Sequence, residues 1–561
     1  MEKSRDGRYS YICKEIKRLH NVYLQQGGVK MVVKCKQDVE QIVNQYKGKQ
    51  VLLGELLVDR HPSDKIACYY ESDNGDERTY TYGELSTLSK KFAQVLQDKG
   101  VQKGDAVAVL LSKGPEVIIS LLAIWRLGAV QVPLFTAFGP EAIEYRVTHS
   151  GANVIITNDE NRSKLMQLQD KKVITIDRDD KHAEDFDFWS SIDQATPLSE
   201  DTKVEEDDLF ILIYTSGTTG HPKGVEVLVR ALAAFESYMR FGLDVQPSDT
   251  FWNIADPGWA YGLYYGIVGP LLVGRTFVVY RARFTVQDTY RILAKYNVTN
   301  FAAAPTVYRT MRVEEVPEIA NKLSLRVLSS AGEPLNYDIA EWAKKHLGLP
   351  IYDHYGQTEL GMAINNHHHE SLHVPVRPGS MGEPLPGYHA VILNGEGEEQ
   401  PAGVEGQIAI DTEKSPVFWF RGYKNDEAKT AKQFMFNNRY YLTSDSASRD
   451  EDYHFYFSGR ADDIITSSGY KIGPFEVESS LMGHEAVAET TVIGVPDPQR
   501  GEIVKAFIVL REGYTPSEAL KEELSTFVKS RLSAHEYPRA IEFLAELPKT
   551  PSGKIQRFLL R

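Results

Sequence analysis

The stretch from Tyr214 to Gly224, Tyr-Thr-Ser-Gly-Thr-Thr-Gly-His-Pro-Lys-Gly, constrains this chain more than any other. It follows an apolar run of strand length, Leu209 to Ile213, and precedes a segment that is typical of a helix from about Val227. Its glycines let backbone N–H groups approach an anion, its hydroxyls add donors, and Lys223 adds a positive charge. It is not a Walker A loop, because no Gly-Lys-Ser/Thr closes it. A plain polar turn would explain some of these residues but not all of them, so we predict a phosphate-binding loop between a strand and a helix.

The composition is that of a globular protein with more than one domain. A chain of 561 residues is too long for a single core, and its 42% hydrophobic and 25% charged residues are ordinary values. The formal net charge of −14 argues against nucleic acid and an anionic membrane surface as partners. No apolar run has the length of a membrane span. Cys13, Cys35 and Cys68 lack metal-ligand spacing, and we expect reduced thiols in a cytoplasmic protein.

Residues 1–50 form a predicted N-terminal extension. Met1 to Lys30 is basic, lacks clear periodicity and ends just before Met31. One hypothesis is that Met31 is the natural start, because the Gln-Gly-Gly before it can be encoded by a purine-rich ribosome-binding sequence. A short helix that packs on the body of the protein is an equally good interpretation.

From Thr79 onwards, short apolar strands alternate with helical segments. The predicted elements are a strand from Thr79 into a helix over Ser86 to Gln97, a strand over Asp105 to Leu111, a helix over Pro115 to Leu127, and strands over Ala129 to Pro133 and Val154 to Thr157. This alternation predicts an α/β fold with parallel sheets covered by helices. The acidic stretch from Asp177 to Asp208 is expected to be a solvated loop or linker. We interpret Asn366-His-His-His-Glu370 with His373 as a polar loop rather than a metal site.

The phosphate-loop stretch resembles that of the adenylate-forming superfamily, which includes acyl-CoA synthetases, firefly luciferases and peptide-synthetase adenylation domains. Further segments follow in the order of that superfamily. They are Ala331-Gly-Glu-Pro334, Asp353-His-Tyr-Gly-Gln-Thr-Glu359, Leu442-Thr-Ser-Asp445, Ser458-Gly-Arg-Ala-Asp-Asp463, Ser467-Ser-Gly-Tyr-Lys471 and Leu547-Pro-Lys-Thr-Pro-Ser-Gly-Lys554. The resemblance implies a large N-terminal domain, residues 51–461, and a small mobile C-terminal α/β domain, residues 462–561.

The resemblance also implies a set of residues that bind ATP or AMP. These are Thr215, Ser216, Gly217, Thr218, Thr219, Gly220, His221, Pro222, Lys223, Gly332, Glu333, Pro334, Asp353, His354, Tyr355, Gly356, Gln357, Thr358, Asp445, Arg460 and Lys471. By resemblance, Tyr355 would stack on the adenine, Asp353 would contact the adenine amino group and Asp445 would bind the ribose hydroxyls. Thr358 would contact the α-phosphate, and Glu359 would hold Mg²⁺, a cation that prefers oxygen ligands. The sequence departs from the usual pattern at Ser444, where glycine is frequent, and at Lys471, where arginine is frequent.

Lys554, Asp462 and Thr358 are the predicted catalytic residues. Lys554 resembles the adenylation lysine of the superfamily, whose compact charge suits a transition state in which a carboxylate displaces pyrophosphate. Asp462 resembles the hinge between the domains. Ser468, Gly469, Tyr470 and Lys471 resemble the loop that meets CoA, and only seven residues follow Lys554, which favours CoA over a fused carrier domain. The segment ending in Lys554 also resembles the sites that lysine acetyltransferases modify, so we expect such an enzyme as a partner.

The expected reaction is the ATP-dependent activation of a carboxylic acid to its CoA thioester. Residues matching acyl-pocket positions of medium-chain and acetyl-CoA synthetases are Trp259, Ala260, Tyr261, Ala331 and Gly356. Acetyl-CoA synthetases have tryptophan where this chain has Gly356, which predicts an open pocket floor and a small-to-medium-chain or branched acid. The alternatives are an acetyl- or propionyl-CoA synthetase, a luciferase-like enzyme, a stand-alone carrier-protein ligase, or a non-catalytic nucleotide-binding protein. The sequence predicts no oligomeric state.

Overall fold

The computed structural model describes residues 29–178, 182–215, 222–313, 322–460, 463–467, 470–498, 500–532, 536–549 and 555–560. In chain order its strands are β1 (Gln50–Val51), β2 (Ile66–Ser72), β3 (Glu77–Thr81), β4 (Ala106–Leu110), β5 (Val130–Pro133), β6 (Val154–Thr157), β7 (Lys172–Thr175), β8 (Phe186–Asp187), β9 (Val204–Glu205), β10 (Leu209–Thr215), β11 (Lys223–Leu228), β12 (Thr250–Asn253), β13 (Thr276–Arg281), β14 (Asn300–Ala303), β15 (Val327–Ala331), β16 (Ile351–Gln357), β17 (Gly361–Asn365), β18 (Ser380–Pro384), β19 (Ala390–Leu393), β20 (Gly406–Asp411), β21 (Phe434–Met435), β22 (Tyr440–Arg449), β23 (Phe455–Arg460), β24 (Ile465–Ser467), β25 (Tyr470–Ile472), β26 (Val487–Asp497), β27 (Gly501–Leu510) and β28 (Ala540–Phe543).

The α-helices of the same residues are α1 (Val29–Val43), α2 (Tyr82–Asp98), α3 (Pro115–Arg126), α4 (Pro140–Ser150), α5 (Asp159–Arg162), α6 (Phe188–Gln194), α7 (Ala231–Ser237), α8 (Ala260–Leu263), α9 (Gly269–Leu272), α10 (Val286–Lys295), α11 (Pro305–Val313), α12 (Tyr337–His346), α13 (Glu427–Ala431), α14 (Pro474–Met482) and α15 (Glu518–Arg531). Short π-helical turns cover Glu55–Asp59, Tyr238–Gly242 and Tyr264–Val268, and 3-10 turns cover Ser163–Leu165 and Arg557–Leu559.

A seven-stranded sheet carries the phosphate-loop strands at one edge. Its order is β11-β10-β5-β4-β6-β7-β8, and every pair is parallel except β10 with β11. Strand β4 is a continuous apolar run because helices cover both faces of a parallel sheet. Helix α3 begins at Pro115, where the missing N–H costs nothing, and is buried along almost its whole length. The predicted strands and helix of this region are therefore present within one or two residues.

A 14-stranded sheet forms the centre of the large domain and is parallel in only one half. Its order is β19-β20-β22-β23-β18-β17-β16-β15-β14-β12-β13-β2-β3, with β21 beside β22. Strands β16, β15, β14, β12, β13 and β2 are parallel, whereas the strands from β17 to β19 in that order pair antiparallel. The antiparallel half was not predicted, because several of its pairings, such as β18 with β23 and β20 with β22, join residues distant in sequence.

A separate five-stranded sheet makes the small domain. It consists of β24 to β28, and α14 and α15 pack on it around Ile472, Val477 and Leu524. The Arg557 guanidinium donates to both oxygens of Glu478 at 2.7 and 2.8 Å, which ties the end of the chain to α14. The predicted fold class, a large N-terminal and a small C-terminal α/β domain, is confirmed. The boundary at residues 461 and 462 and the mobility of the small domain stay predictions.

The segment after the phosphate loop differs from the prediction. Residues 223–228 form strand β11, antiparallel to β10, and the helix starts only at Ala231. Lys223-Gly-Val-Glu-Val-Leu has β-branched residues at alternate positions, and that period of two favours a strand over a helix. The predicted loop therefore connects two antiparallel strands.

Helix α2 also starts earlier than predicted, at Tyr82 instead of Ser86. Thr81 Oγ1 accepts from the N–H of Glu84 at 3.1 Å, and Glu84 Oε2 accepts from the N–H of Thr81 at 2.8 Å. This capping box satisfies donors at the helix start and sets the boundary.

The acidic stretch, predicted to be a solvated loop or linker, and the N-terminal helix α1 both contribute residues to the core. The acidic stretch contains α6, whose Phe188 is buried, and its Asp201 accepts from the fully buried Arg126 at 2.7 Å. At the N-terminus, α1 packs Cys35, Val39 and Ile42 into the main core. Met31 lies within α1, whereas residues 1–28 lie outside the described residues, so both interpretations of the first thirty residues stay predictions.

The histidine-rich segment, which we predicted to be a polar loop, has no regular secondary structure and is partly buried. His367 is 3% exposed, and the ring of His368 stacks on Tyr352 with centroids 4.0 Å apart. His368 Nε2 lies 3.0 Å from Ser329 Oγ in β15, so the segment packs against the central sheet. In the part of the chain that the structure describes, no helix has the length and apolar character needed to cross a membrane.

Candidate active site

Several of the predicted nucleotide-binding residues that the structure describes lie together near the end of strand β16. The parallel strands β14, β15 and β16 end side by side, and the carboxyl ends of such strands are the usual place for a ligand. From the antiparallel half of the sheet, β22 brings Asp445 to the same place and β23 brings Arg460, in register with it. Tyr355 and Asp445, 90 positions apart in the sequence, thus meet in one site.

Asp445 is held by two neighbours from β16. Tyr355 donates its hydroxyl to Asp445 Oδ2 at 2.6 Å, and Gln357 Nε2 donates to the same oxygen at 2.7 Å. Gln357 is itself fixed, because its Oε1 accepts from the hydroxyl of Tyr441 at 3.1 Å. Hydrogen bonds to a carboxylate are among the stronger ones in proteins, so this cluster has one well-defined geometry.

Glu359 and Lys223 approach each other around Tyr423. The Tyr423 hydroxyl donates to Glu359 Oε1 at 2.8 Å, and Lys223 Nζ lies 4.9 Å from the centre of the Tyr423 ring. Burial raises the pKa of Glu359, and the hydrogen bond from Tyr423 and the charge of Lys223 oppose that shift. Burial lowers the pKa of Lys223, and Glu359 opposes it. Mg²⁺ in nucleotide-binding enzymes takes few ligands from the protein and binds mainly through substrate phosphates, so a single carboxylate at this place fits it.

The predicted adenine side contains a buried acid. The backbone N–H of Leu335 lies 3.4 Å from Asp353 Oδ2, and burial raises the pKa of Asp353 to about 8. Glu333 is already engaged with the protein, because its carboxylate accepts from Thr306 Oγ1 at 2.9 Å and Arg309 Nη2 at 2.6 Å. Gly332 has a φ of +97°, which explains why this turn before Pro334 needs glycine.

The side chain of His354, which we predicted to bind the nucleotide, lies in the protein core. Its Nε2 lies 2.9 Å from the carbonyl oxygen of Asn366 and donates to it, so Nδ1 accepts from the hydroxyl of Tyr238 at 2.6 Å. The side chain is 2% exposed, and burial lowers its pKa to about 3. His354 is therefore a neutral core residue, because neighbouring side chains of a strand point to opposite faces and Tyr355 takes the site face.

The predicted acyl-pocket segment lies among aromatic rings. Trp259 packs on Phe135 and Phe138, with centroids 5.3 and 5.8 Å apart. It precedes α8, which starts at Ala260, and the Tyr261 hydroxyl lies 3.5 Å from that of Tyr238. Trp259, Ala260 and Tyr261 all keep partial exposure, whereas Ala331 is buried in β15.

Gly356 does not leave the open floor that we predicted. A Cβ at this position would lie 2.1 Å from the carbonyl oxygen of Gly361 and 2.7 Å from the Cα of Met362, both in the backbone of β17. The register of β16 with β17 shifts between Tyr355 and Gly356. This glycine is thus needed for close approach of two strands, and no open space lies in the direction of its missing side chain.

Several predicted residues lie outside the described residues. They are Ser216, Gly217, Thr218, Thr219, Gly220, His221, Asp462, Ser468, Gly469 and Lys554, together with the side chains of Tyr470 and Lys471. Both ends of the phosphate loop are described: Thr215 pairs with Lys223, and the carbonyl of Pro222 accepts from Tyr145 at 3.3 Å. The carbonyl of Thr358 accepts from the Tyr264 hydroxyl at 3.1 Å.

Sequence reasoning missed Tyr423. It is one of 30 tyrosines in the chain, and the surrounding Arg-Gly-Tyr-Lys has no pattern that marks it. Its importance follows from its position between Glu359 and Lys223, which only the folded chain brings together.

Comparison with protein families identifies the chain. Residues 55–423 match the model of the AMP-binding enzyme family, and residues 476–554 match the AMP-binding enzyme C-terminal domain. The chain belongs to the AMP-binding enzyme family. Among curated relatives, the acetyl-coenzyme A synthetase of Bacillus subtilis is 38% identical over 517 residues, 90% of this chain and 89% of that protein. The mitochondrial acyl-coenzyme A synthetase ACSM3 of Mus musculus is 37% identical, over 88% of this chain and 86% of that protein.

Solved structures of this family show the same fold. A Brucella canis acyl-CoA synthetase is 45% identical with a TM-score of 0.74, covering 93% of this chain and 96% of that one. The anthranilate CoA ligase AuaEII, solved with anthranoyl-AMP, is 27% identical with a TM-score of 0.82, covering 91% and 96%. The predicted superfamily and its class of enzyme, the AMP-forming ligases, are confirmed.

Proposed function

We propose that this AMP-binding enzyme is an acyl-CoA synthetase that activates a small-to-medium-chain carboxylic acid in two steps. In the first, a carboxylate oxygen attacks the α-phosphorus of ATP and the bond to pyrophosphate breaks, giving an acyl-adenylate. In the second, the CoA sulfur attacks the acyl carbon, the bond to AMP breaks, and the thiol proton is released. The observation that carries the proposal is the convergence of Tyr355 and Asp445 with Glu359 and Lys223 in one site.

Tyr355 and Asp445 suit the nucleoside of ATP. The ring of Tyr355 offers a face for the adenine, and its hydroxyl is bonded to Asp445, so both groups are oriented before the ligand arrives. In this proposal Asp445 accepts from the ribose hydroxyls, and Asp353, near Leu335, meets the adenine amino group. Groups that are already ordered lose little conformational freedom on binding, which favours affinity.

Lys223 and Glu359 suit the phosphates. Lys223 stands at the end of the phosphate loop, where its charge would compensate the anion, and Glu359 would hold the Mg²⁺ that accompanies ATP. Mg²⁺ neutralises charge on the phosphates when bound. Thr358 would contact the α-phosphate, and Lys554 would stabilise the charge that develops there as pyrophosphate leaves.

The second step is assigned to the small domain. Ser468, Gly469, Tyr470 and Lys471 would meet CoA after the small domain turns about Asp462. The Phe457 and Phe475 rings, 6.1 Å apart, and the contact of Asn336 Nδ2 with Ser479 Oγ at 3.5 Å join the large domain to α14. Interfaces between domains of one chain usually allow the domains to change their relative orientation.

The size of the acid rests on fewer observations. The Bacillus subtilis relative is named for acetate and the ACSM3 relative for acyl groups in general, at almost equal identity. The aromatic wall formed by Trp259 with Phe135 and Phe138 offers apolar surface for a chain longer than acetate. Acetate or propionate is the second candidate, because Gly356 does not open the pocket.

Exchange of labelled pyrophosphate into ATP tests the first step directly. We expect exchange only with an acid present, highest for an acid of about four to eight carbons, a range in which each buried methylene adds about 0.8 kcal/mol. Addition of CoA should then give one thioester and one AMP per acid. A maximum at acetate would favour the second candidate, and light emission without CoA would favour a luciferase-like enzyme.

The variant Lys554→Ala separates the two steps. We expect it to lose pyrophosphate exchange while it still converts supplied acyl-adenylate and CoA to thioester. Equal loss of both steps would contradict the role of Lys554. If the wild-type protein binds ATP but shows no pyrophosphate exchange with any acid, the proposed function as a whole is contradicted.

A further inference from the structure

Tyr423 lies between the two groups that bear opposite charge in the phosphate region. Its hydroxyl donates to Glu359 Oε1 at 2.8 Å, and its ring lies under Lys223 Nζ at 4.9 Å. The residue is 6% exposed. It therefore contacts the carboxylate through one part of its side chain and the cation through another.

The backbone around Tyr423 is bound to the strand that carries Lys223. Tyr423 pairs with Val225 in an antiparallel bridge, and the N–H of Lys424 donates to the carbonyl of Gly224 at 2.8 Å. On the other side, the N–H of Tyr423 donates to Thr430 Oγ1 at 2.9 Å. The position of Tyr423 relative to the end of the phosphate loop is thus fixed by the backbone.

We propose that Tyr423 is a positioning residue that orients Glu359 for the divalent cation and holds Lys223 beside the phosphates, an inference that rests on the proposed function. A hydrogen bond to one oxygen of a metal-binding carboxylate fixes the direction of the other oxygen. Loss of such an outer contact typically weakens metal binding about 10- to 100-fold. The ring attracts the ammonium group of Lys223 through its electron-rich face, which restrains a long, flexible side chain.

Two substitutions separate these roles. Tyr423→Phe removes the hydroxyl and keeps the ring, whereas Tyr423→Leu removes both. The probe is Mn²⁺ with a non-hydrolysable ATP analogue, and its binding to the full-length protein is measured by electron paramagnetic resonance. ATP binding without divalent cation is measured separately by calorimetry.

We expect Tyr423→Phe to weaken Mn²⁺ binding about 10-fold or more and to leave metal-free ATP binding unchanged. Tyr423→Leu should weaken both. The matched control is Tyr82→Phe, because Tyr82 is equally buried and donates its hydroxyl to the carbonyl of Arg275 at 3.1 Å, far along the chain from the site. Mn²⁺ binding by Tyr423→Phe that equals that of Tyr82→Phe overturns the inference.

Two further variants make every outcome informative. Glu359→Gln should weaken Mn²⁺ binding, and if it does not, the assignment of Glu359 to the metal fails. If Glu359→Gln weakens Mn²⁺ binding but Tyr423→Phe does not, only the proposed role of Tyr423 is refuted. Should Tyr423→Phe fail to fold, Thr430→Val removes the acceptor of the Tyr423 N–H without touching Glu359 or Lys223. It should weaken Mn²⁺ binding up to about 10-fold, the lower end of the effect of such outer contacts, and unchanged binding contradicts the inference.

Discussion

Replacing Gly356 by alanine should destabilise the large domain. The new Cβ would lie 2.1 Å from the carbonyl oxygen of Gly361, whereas ordinary contacts begin at 3.4 Å, so β16 and β17 would have to separate by more than 1 Å. Overpacking of this kind costs about 1–3 kcal/mol. The lower entropy of the unfolded alanine chain returns about 0.4–1 kcal/mol. We expect a net loss of about 1–2 kcal/mol.

Thermal unfolding of Gly356→Ala and Gly395→Ala measures this effect. A methyl group added at Gly395 would have no atom within 4 Å, and the φ of Gly395 is not positive, so its alanine variant should unfold like the wild type or slightly above it. For Gly356→Ala we expect a midpoint lower by roughly 2–8 °C, given about 2–4 °C per kcal/mol in domains of moderate size.

The same geometry predicts the behaviour of Gly356→Trp. An indole in an open acyl pocket would displace about four methylenes of a longer acid, worth roughly 3 kcal/mol or a hundredfold in kcat/KM. Because the side chain would start against the backbone of β17, we expect activity to fall with every acid and the ratio between acids to stay nearly constant. A stable Gly356→Ala protein, together with a hundredfold shift of Gly356→Trp towards acetate, would refute this reasoning.

Three further predictions concern other residues of the site. Tyr355→Phe keeps the ring but loses the hydrogen bond to Asp445. Because a hydrogen bond to a charged group is worth about 1.5–3 kcal/mol, ATP binding measured by calorimetry should weaken about tenfold or more. Unchanged affinity would contradict this prediction. Because burial raises the pKa of Asp353 to about 8, the folded state binds a proton that the unfolded state releases above about pH 4. The stabilising contribution of the protonated Asp353 carboxyl is therefore lost as the pH rises from about 4 through 8. Over that range the unfolding temperature of Asp353→Asn should rise progressively relative to that of the wild type. A difference in unfolding temperature that does not change with pH would count against this prediction. Acetylation of Lys554 by a lysine acetyltransferase and acetyl-CoA should silence pyrophosphate exchange, with the modification located by mass spectrometry, because it removes the charge.

Much of the fold follows from local patterns in the sequence. The parallel strands β4 and β6 are almost entirely apolar, and α3 is bounded by Pro115 and Gly128, so their positions could be predicted within one or two residues. The antiparallel half of the central sheet was beyond reach, because its pairing joins residues distant in sequence. The start of α2 was missed because the capping box of Thr81 and Glu84 was not recognised.

The candidate site was predicted from motifs that follow one another in a fixed order. The errors concern residues whose role depends on the direction in which the side chain points. A motif names His354 and Gly356 beside Tyr355, but only the strand geometry shows that His354 points into the core and that Gly356 faces β17. Tyr423 escaped prediction for the opposite reason, since it contacts motif residues without belonging to a motif. Sequence order therefore identifies the family, while side-chain direction decides the role of each residue.

The antiparallel pairing of β10 with β11 determines the source of positive charge around the phosphates. In Walker loops a helix starts at the loop, and its dipole places about half a positive charge against the anion. Here the chain leaves the loop as strand β11, and α7 starts only at Ala231, beyond the end of that strand. Strand dipoles largely cancel, so the charge that compensates a phosphate bound here would come from side chains and the cation that ATP brings with it, helped by the backbone N–H groups of the loop. Side-chain charges are screened by salt. Nucleotide binding without a divalent cation should therefore weaken steeply as ionic strength rises.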